Sequence, residues 1–360
     1  MHIAIVIDNL KMGGAQKLVT TFISAASAQK SKITVISLHT AFDSSILEAI
    51  QLSGVPVVMF PSRSLFNVRR FAQLIRFFRQ QKIDVIHAHL EYSIILSSCV
   101  GAVLNIPVVA SLHNVRHLRW HVFEKILLNC IVKHVIAVGP AVAEAYRSGV
   151  DRKQIKVMVN PVSPIPPISM EERYAIRTEI SGDASRPLLI SVGRLSPQKG
   201  FSDLIAAMEI VHRIYPRVCL AIVGTGSLLK DLQDQIDLSG LQENVRLLGV
   251  RADVPRLLAA SDIFVMSSHW EGMPVAMLEA MSAGLPVVAT GVGDVPQIVS
   301  KEVGILVMPY QPEALAEALI KFLKNPGQLL QMGLAARSYV LQNHDSKAWA
   351  DRLLVIYESV

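Results

Sequence analysis

Cysteine is scarce. The chain of 360 residues holds three, Cys99, Cys130 and Cys219, each among apolar neighbours. An odd, scattered set argues against a disulfide framework and reads as a protein of a reducing cytoplasm. The chain also lacks short-period repeats and low-complexity tracts. Met1 leads straight into an apolar run, His2 to Asp8, with no basic n-region or cleavage site, so no signal peptide is visible. An uninterrupted apolar span is missing as well, although 51% of residues are hydrophobic and mean hydropathy is +0.40. The longest charge-free stretch, Ser93 to Leu112, has the length of a bilayer span. It contains Ser97, Ser98, Asn105 and Pro107, and Asn105-Ile106-Pro107 reads as a break. A buried helix, Tyr92 to Leu104, followed by a buried strand, Pro107 to Leu112, accounts for it better. Metal motifs are absent too: there is no His-x-x-Glu-His and no Asp-x-Asp.

What is present points to two domains, because 360 residues exceed one ordinary core. The net charge of +6 is uneven. Through Ser163, Lys and Arg number 18 against 8 Asp and Glu, a balance of +10; the rest holds 17 against 21, a balance of −4. A basic half beside a mildly acidic one suggests an anionic partner for one domain. Charge alone leaves nucleic acid, anionic lipid and a phosphorylated substrate open.

Short Val/Ile-rich runs alternate with helical stretches. In the first half the runs are Ile3–Ile7, Ile33–Leu38, Val57–Phe60, Val85–His87, Val108–Leu112, Val135–Val138 and Val157–Val159. Pro161, Pro164, Pro166 and Pro167 then interrupt any regular element and mark a linker. The alternation restarts with Leu188–Val192, Val218–Val223, Val245–Leu248, Ile263–Met266, Val287–Ala289 and Ile305–Val307, and Ser346–Glu358 reads as a last helix. Continuous apolar runs separated by helices are parallel strands buried on both faces. The expected fold is therefore α/β: two tandem Rossmann-like, doubly wound parallel-sheet domains, residues 1–163 and 164–345, with 346–360 packing back on the first. Ligands in such sheets bind at the carboxyl ends of strands, so a central cleft between the domains is the expected active site.

Two segments carry candidate chemistry. Arg194 and Lys199 lie on the loop that leaves a strand at Val192 or Gly193, and a helix begins near Gly200. A guanidinium, an ammonium and a helix N-terminus together suit a diphosphate. Glu271 and Glu279 bracket the start of another helix, where Pro274 fits the first turn. Amides at Gly272, Met273 and Val275 are free to point outward, and carboxylates accept from sugar and ribose hydroxyls. Solvated loop charges, a capping glutamate and a helix-surface glutamate are the plainer alternatives.

Glu271-x7-Glu279 with Gly193-Arg194 and Lys199-Gly200 about eighty residues upstream resembles the retaining glycosyltransferases of family 4, which have the GT-B fold. The resemblance covers essentially the whole chain. It extends to Met12-Gly13-Gly14-Ala15 after the first strand, Val85-Ile86-His87-Ala88-His89, Ser111-Leu112-His113-Asn114, Asn160-Pro161-Val162, and Ala289-Thr290 with Gly293-Asp294-Val295-Pro296. The resemblance implies a catalytic set of Arg194, Lys199, Glu271 and His113. Arg194 and Lys199 would neutralise the donor diphosphate as the sugar leaves. Glu271 would hold sugar hydroxyls, and His113 would face the reacting sugar from the other domain. It also implies donor contacts from Glu279 to the ribose, from Gly272, Met273, Pro274 and Val275, and from Gly13 and Gly14, where backbone can approach closely. Gly193 and the loop of Gly224 and Gly226 would border the donor pocket. The implied chemistry retains configuration and needs no protein nucleophile, no cofactor and no metal.

Other signals compete. Gly224-Thr225-Gly226 begins like a dinucleotide fingerprint, but Leu229 stands where the third glycine belongs and no acidic residue ends the next strand. His87 and His89 share a strand face and, with His113, offer nitrogen to zinc, which makes a metal-dependent hydrolase a rival. Core packing is the plainer role for His87, while His89 lines the cleft. Two basic, aromatic-bearing segments, Arg63 to Lys82 and Arg116 to Lys125, suit an anionic membrane surface, or are solvated faces of core-packed helices. No nucleic-acid module accompanies the charge. The expected function is a cytoplasmic glycosyltransferase, peripheral at the inner face of the cell membrane. Its donor is a nucleotide-sugar, a UDP-sugar, and its acceptor a lipid-linked glycan of surface-polysaccharide or glycoconjugate assembly. A nucleotide-sugar hydrolase or epimerase of the same fold, and a non-catalytic nucleotide-sugar-binding relative, are the alternatives.

Overall fold

The structure, a computed structural model of the chain, describes every residue except 27–30, 63–66, 116–120 and 152–154, and the side chain of His121. It divides into two compact units, Met1–Pro161 with Ser346–Val360, and Val162–Asp345. The second unit thus begins inside the proline-rich segment, two residues before the expected boundary.

Unit 1 runs β1 (His2–Ile7), α1 (Gly14–Ala26), β2 (Lys32–Ser37), α2 (Ser44–Leu52), β3 (Val57–Met59), α3 (Val68–Gln81), β4 (Val85–His89) and α4 (Glu91–Leu104). It continues with β5 (Val108–Leu112), α5 (His121–Cys130), β6 (His134–Ala137), α6 (Pro140–Tyr146) and β7 (Ile155–Val157). Its seven parallel strands lie in the order β3-β2-β1-β4-β5-β6-β7. Unit 2 runs α7 (Met170–Ser181), β8 (Leu188–Val192), α8 (Phe201–Ile214), β9 (Cys219–Val223), α9 (Leu229–Leu238), β10 (Val245–Leu247), α10 (Val254–Ala260) and β11 (Ile263–Met266). It ends with α11 (Val275–Ser282), β12 (Val287–Thr290), α12 (Val295–Ile298), β13 (Gly304–Val307), α13 (Pro312–Lys324) and α14 (Pro326–Asn343). Its six parallel strands lie in the order β10-β9-β8-β11-β12-β13. The last helix, α15 (Ser346–Glu358), belongs to unit 1. There it packs on α1, with the edges of Trp349 and Tyr357 against Phe22 at 6.2 and 5.9 Å.

The central strands β1, β4, β5 and β9 are buried at every residue, as strands covered on both faces must be. Chain order reverses between β1 and β4 in unit 1 and between β8 and β11 in unit 2. Such switch points, at the carboxyl ends of the strands, are where open α/β sheets bind ligands. The charge-free stretch resolves into α4 and β5. Asn105 closes the helix in the left-handed conformation at φ 56°, a position asparagine tolerates. No described helix is long and apolar enough to cross a membrane. The last strand of unit 1 lies two residues earlier than its apolar run, at Ile155–Val157.

Helix α3 starts at Asn67, whose side chain accepts from the Arg70 amide at 3.0 Å. It turns Leu74 and Phe78 inward, and Arg70 with them. Arg70 is buried close to Asp8, so one cation of the expected basic surface belongs to the interior. Arg69, Arg76 and Arg79 remain exposed. Arg63, Leu65 and Phe66, and Arg116, Arg119 and Trp120 of the second basic segment, lie outside the described residues.

Around Asp8 the interior holds an acidic group. Burial, with Glu91 nearby, raises Glu124 from 4.5 to about 7, and Tyr146 donates to its Oε2 at 3.3 Å. A carboxyl whose pKa is raised on folding binds a proton that the unfolded chain has released. Stability is then full below the unfolded pKa and falls as pH rises through the window from about 4.5 to about 7. Glu124→Gln keeps an acceptor for Tyr146 and removes the ionisation. It is expected to be more thermostable than the parent at pH 8, by on the order of 3 kcal/mol. The gap should close towards pH 4.5. Parallel melting curves across that range check it, and a constant gap would exclude Glu124 as the titrating group.

Candidate functional site

The switch point of unit 2 brings together the loops after β8 and β11. β8 pairs with β11 through Leu189 and Ile190, so residues 193–200 and 267–274 leave the sheet side by side. A 3-10 turn, Pro197–Lys199, ends at Gly200 in the left-handed conformation, and α8 follows at Phe201. The two loops are stitched together: the His269 amide donates to Gln198 O at 2.8 Å, and Ser267 Oγ to Lys199 O at 2.9 Å.

Lys199 Nζ lies 2.5 Å from Glu271 Oε1. Ser268 Oγ donates to the same oxygen at 2.7 Å, and Gln198 Nε2 reaches Oε2 at 3.4 Å and Trp270 O at 2.9 Å. Glu271 is buried, so its charge depends on these donors. Arg194 is exposed, and no described carboxylate pairs with it. The cluster therefore presents one unneutralised cation, one cation held in reserve by a carboxylate, and one carboxylate that accepts only. An anionic ligand with hydroxyl donors can draw Lys199 to the anion while its hydroxyls take over Glu271.

Glycines let these loops touch. A Cβ on Gly224 would meet Gly193 O at 1.9 Å, and one on Gly226 would meet Leu195 O at 2.1 Å. The loop after β9 thereby lies directly on the Arg194 loop, joined by Leu195 N to Thr225 O at 2.9 Å. At Gly193 the nearest atoms are the Lys199 side-chain carbons, from 3.2 Å. Gly272, Met273 and Pro274 are buried, and Gly272 O accepts from the Asp294 amide at 3.0 Å. Pro274 is the N-cap of α11, so the helix begins at Val275, after the proline expected inside its first turn. No side chain caps α11. Glu279 is half-buried on α11, about one turn from its start.

The other candidates belong to unit 1. Gly13 closes the loop after β1, and Gly14 opens α1. His113 follows β5 and is half-buried; its Nε2 lies 3.0 Å from Nδ1 of the buried His89. His87 is buried between Tyr357 Oη at 2.6 Å and Ser111 Oγ at 2.8 Å. Among the described residues no group of three or more His, Cys, Asp or Glu could hold a metal ion.

Residues 12–164 match the family model described as Glycosyltransferase Family 4, and residues 173–339 match that described as Glycosyl transferases group 1. The chain belongs to the family 4 glycosyltransferases. It is 32% identical over 205 residues to a GDP-mannose-dependent monoacylated alpha-(1-6)-phosphatidylinositol monomannoside mannosyltransferase of Corynebacterium glutamicum. That match covers 54% of this chain and 52% of the relative, so the chain spans about half the length of that enzyme. It is 27% identical over 294 residues to the UDP-Gal:alpha-D-GlcNAc-diphosphoundecaprenol alpha-1,3-galactosyltransferase of Escherichia coli, covering 76% of this chain and 75% of the relative. Among solved structures, Anabaena HepE in complex with UDP-glucose matches over the whole of both chains with a TM-score of 0.90 at 23% identity. The fold of this glycosyltransferase is GT-B.

Several residues of the cluster in unit 2 carry no motif. Ser268 and Gln198 hold Glu271 and were visible only as polar residues near charged ones. His269 Nε2 lies 2.9 Å from Asp203 Oδ2, and its ring stacks on Tyr310 at 3.9 Å. Tyr310 stands 41 positions away in sequence and adopts φ 61°, which non-glycine residues seldom do. No local pattern announces that contact.

Proposed function

We propose that this glycosyltransferase moves a hexose from a UDP-sugar to a lipid-linked glycan, with retention at the anomeric carbon and without a metal. The pairing of Lys199 with Glu271, beside an Arg194 with which no described carboxylate pairs, is the observation that carries the reading. It combines what a nucleoside diphosphate sugar requires: cations for the diphosphate and a carboxylate acceptor for hydroxyls. Arg194 and Lys199 stabilise the charge that grows as the C1–O bond to the diphosphate breaks. The acceptor hydroxyl forms the new bond on the same face and passes its proton to the departing phosphate oxygen. Glu271 orients the sugar, Glu279 takes the ribose hydroxyls, the Gly272–Val275 segment lines the sugar and phosphates, and His113 contacts the reacting sugar. Gly13 and Gly14 allow close approach of backbone to phosphates or acceptor. Unit 1 handles the acceptor and unit 2 the donor.

The UDP preference is supported by the HepE complex and the UDP-galactose-using relative, and the lipid-linked acceptor by the two named relatives. We place the enzyme in the cytoplasm at the inner face of the cell membrane. Exposed Arg69, Arg76 and Arg79 on α3, and Val122 and Ile126 on α5, 63% and 52% exposed, suit an anionic bilayer surface.

A thermal-shift screen across UDP-, GDP- and ADP-sugars tests the donor, followed by transfer of labelled sugar to polyprenyl-diphosphate glycans in anionic vesicles. A shift with UDP-sugars and labelled lipid product is expected. Acceptor-independent release of free sugar would overturn transfer, and metal-dependent turnover would overturn the metal-free mechanism. Glu279→Ala should weaken UDP binding about tenfold, the loss of one or two hydroxyl contacts to a charged acceptor. Calorimetric titration with UDP measures this, and an unchanged Kd would remove the ribose role.

A further inference from the structure

His113 does not stand alone in unit 1. β4 ends in His87 and His89, whose rings lie 4.1 Å apart. His87 is fully engaged, by Tyr357 at Nδ1 and Ser111 at Nε2. His89 is 3% exposed and has its Nδ1 3.0 Å from Nε2 of His113. Burial holds all three imidazoles neutral: His87 is pushed down to about 3, His113 to about 4, and His89 well below its ordinary value. Two neutral imidazoles joined nitrogen to nitrogen share one proton, one ring donating and the other accepting. Whichever donates, Nε2 of His113 is occupied. The nitrogen it has left for a ligand is Nδ1.

We propose that His89 is a positioning residue that takes up Nε2 of His113, so that His113 meets the transferred sugar through Nδ1. The proposal rests on the reading of His113 as a contact of the reacting sugar. The backbone supports it independently. Leu90, directly after His89, has φ 74° and ψ 160°, a region open almost to glycine alone. Lys82 and Asn105, with comparable φ, are ordinary helix C-caps; Leu90 is the N-cap of α4 and makes the sharp turn into it from β4. That turn is clamped by the residue after β1, because Asp8 Oδ1 accepts from Ser93 N at 2.8 Å and Ser93 Oγ at 2.6 Å. A strained turn held by a buried carboxylate fixes where the His89 ring points. His87, locked to α15 through Tyr357, backs it from the other side.

The test uses the fact that asparagine places its amide near the imidazole Nδ1 position and glutamine near Nε2. With UDP-glucose as the donor probe, His113→Asn should keep kcat within about tenfold of the parent, and His113→Gln should lose about a hundredfold or more. His89→Leu should lower kcat roughly 10- to 100-fold with KM for UDP-glucose and the melting temperature unchanged, and His89→Asn should restore most of it. Nitrogen NMR of the imidazoles supplies a readout that needs no substrate. The parent should show one fixed His113 tautomer and a coupling across the bond to His89, both lost in His89→Leu. Averaged tautomers in the parent, or a fully active His113→Gln beside an inactive His113→Asn, would overturn the proposal. Parental turnover in both His113 variants with the coupling intact would remove instead the function of His113 on which it rests. An inactive His113→Ala with no coupling in the parent would overturn the role of His89 alone.

Discussion

Arg194→Ala is expected to lower kcat/KM by about three orders of magnitude, about 4 kcal/mol of transition-state stabilisation, and to leave the melting temperature where it is. The guanidinium is exposed and no described carboxylate depends on it, so its removal strands nothing in the folded state. Lys199→Ala should cost a similar factor in turnover, yet its effect on stability should differ. Its ammonium is the partner of the buried Glu271 carboxylate, which would keep only Ser268 at 2.7 Å and the longer contact from Gln198. Leaving a buried charge partly satisfied costs about 2–3 kcal/mol in a pair that retains some solvent contact. That corresponds to a fall of roughly 5–10 °C in a unit of this size. Lys199→Ala combined with Glu271→Gln should recover the stability and none of the activity. Steady-state kinetics and melting curves on the four proteins check this. Parental rates in both single variants would sink the phosphate assignment, and equal melting temperatures would show that the ion pair contributes nothing to the fold.

Gly200→Ala is expected to be a strongly disruptive single-methyl change in unit 2. Gly200 has φ 58°, and an added Cβ would stand 2.1 Å from Ser267 O and 2.9 Å from the His269 ring. The left-handed conformation alone costs a side chain about 1–2 kcal/mol. The backbone clash cannot be relieved by a rotamer, so the two loops must part. Together these should remove about 3 kcal/mol or more of stability. They should also raise donor KM at least tenfold, because parting the loops separates Lys199 from Glu271. Gly240→Ala is the internal control. Its φ is 66°, but nothing lies within 4 Å of the added Cβ. It should cost about 1 kcal/mol and leave kinetics untouched. Equal behaviour of the two variants would mean that backbone conformation, not loop contact, sets the effect at Gly200.

Some of this was legible along the chain. Buried parallel strands need apolar side chains on both faces, so each strand writes itself as a continuous run. The thirteen runs correspond to the thirteen strands of the two sheets. The break at Asn105, with the helix before it and the strand after it, was equally local, since left-handed caps and prolines act on their own backbone. The family motifs named the residues from which a donor-side cluster could be built. Where local signals thinned out, the boundaries slipped: β7 lies two residues early, and α11 starts after Pro274 rather than with it. The interior position of Arg70 was hidden because a cation within an amphipathic basic helix reads as solvated unless the acid it faces is known.

Along the sequence the loop proposed to hold phosphate is two cations on one segment. The fold separated them: Arg194 is open to ligand, while Lys199 is held by a glutamate 72 residues away. That difference could not come from spacing, because strand order, not sequence order, sets β8 beside β11. The same holds for the contact between His89 and His113, which depends on β4 lying beside β5, and for Tyr357, brought to His87 from 270 residues away. Residue type and local periodicity were enough to determine the sheets, their strands and the chemistry on offer. Which charges are neutralised before a ligand arrives, and which nitrogen of His113 is left to meet it, were decided only when hydrogen bonding in the sheets brought distant strand ends together.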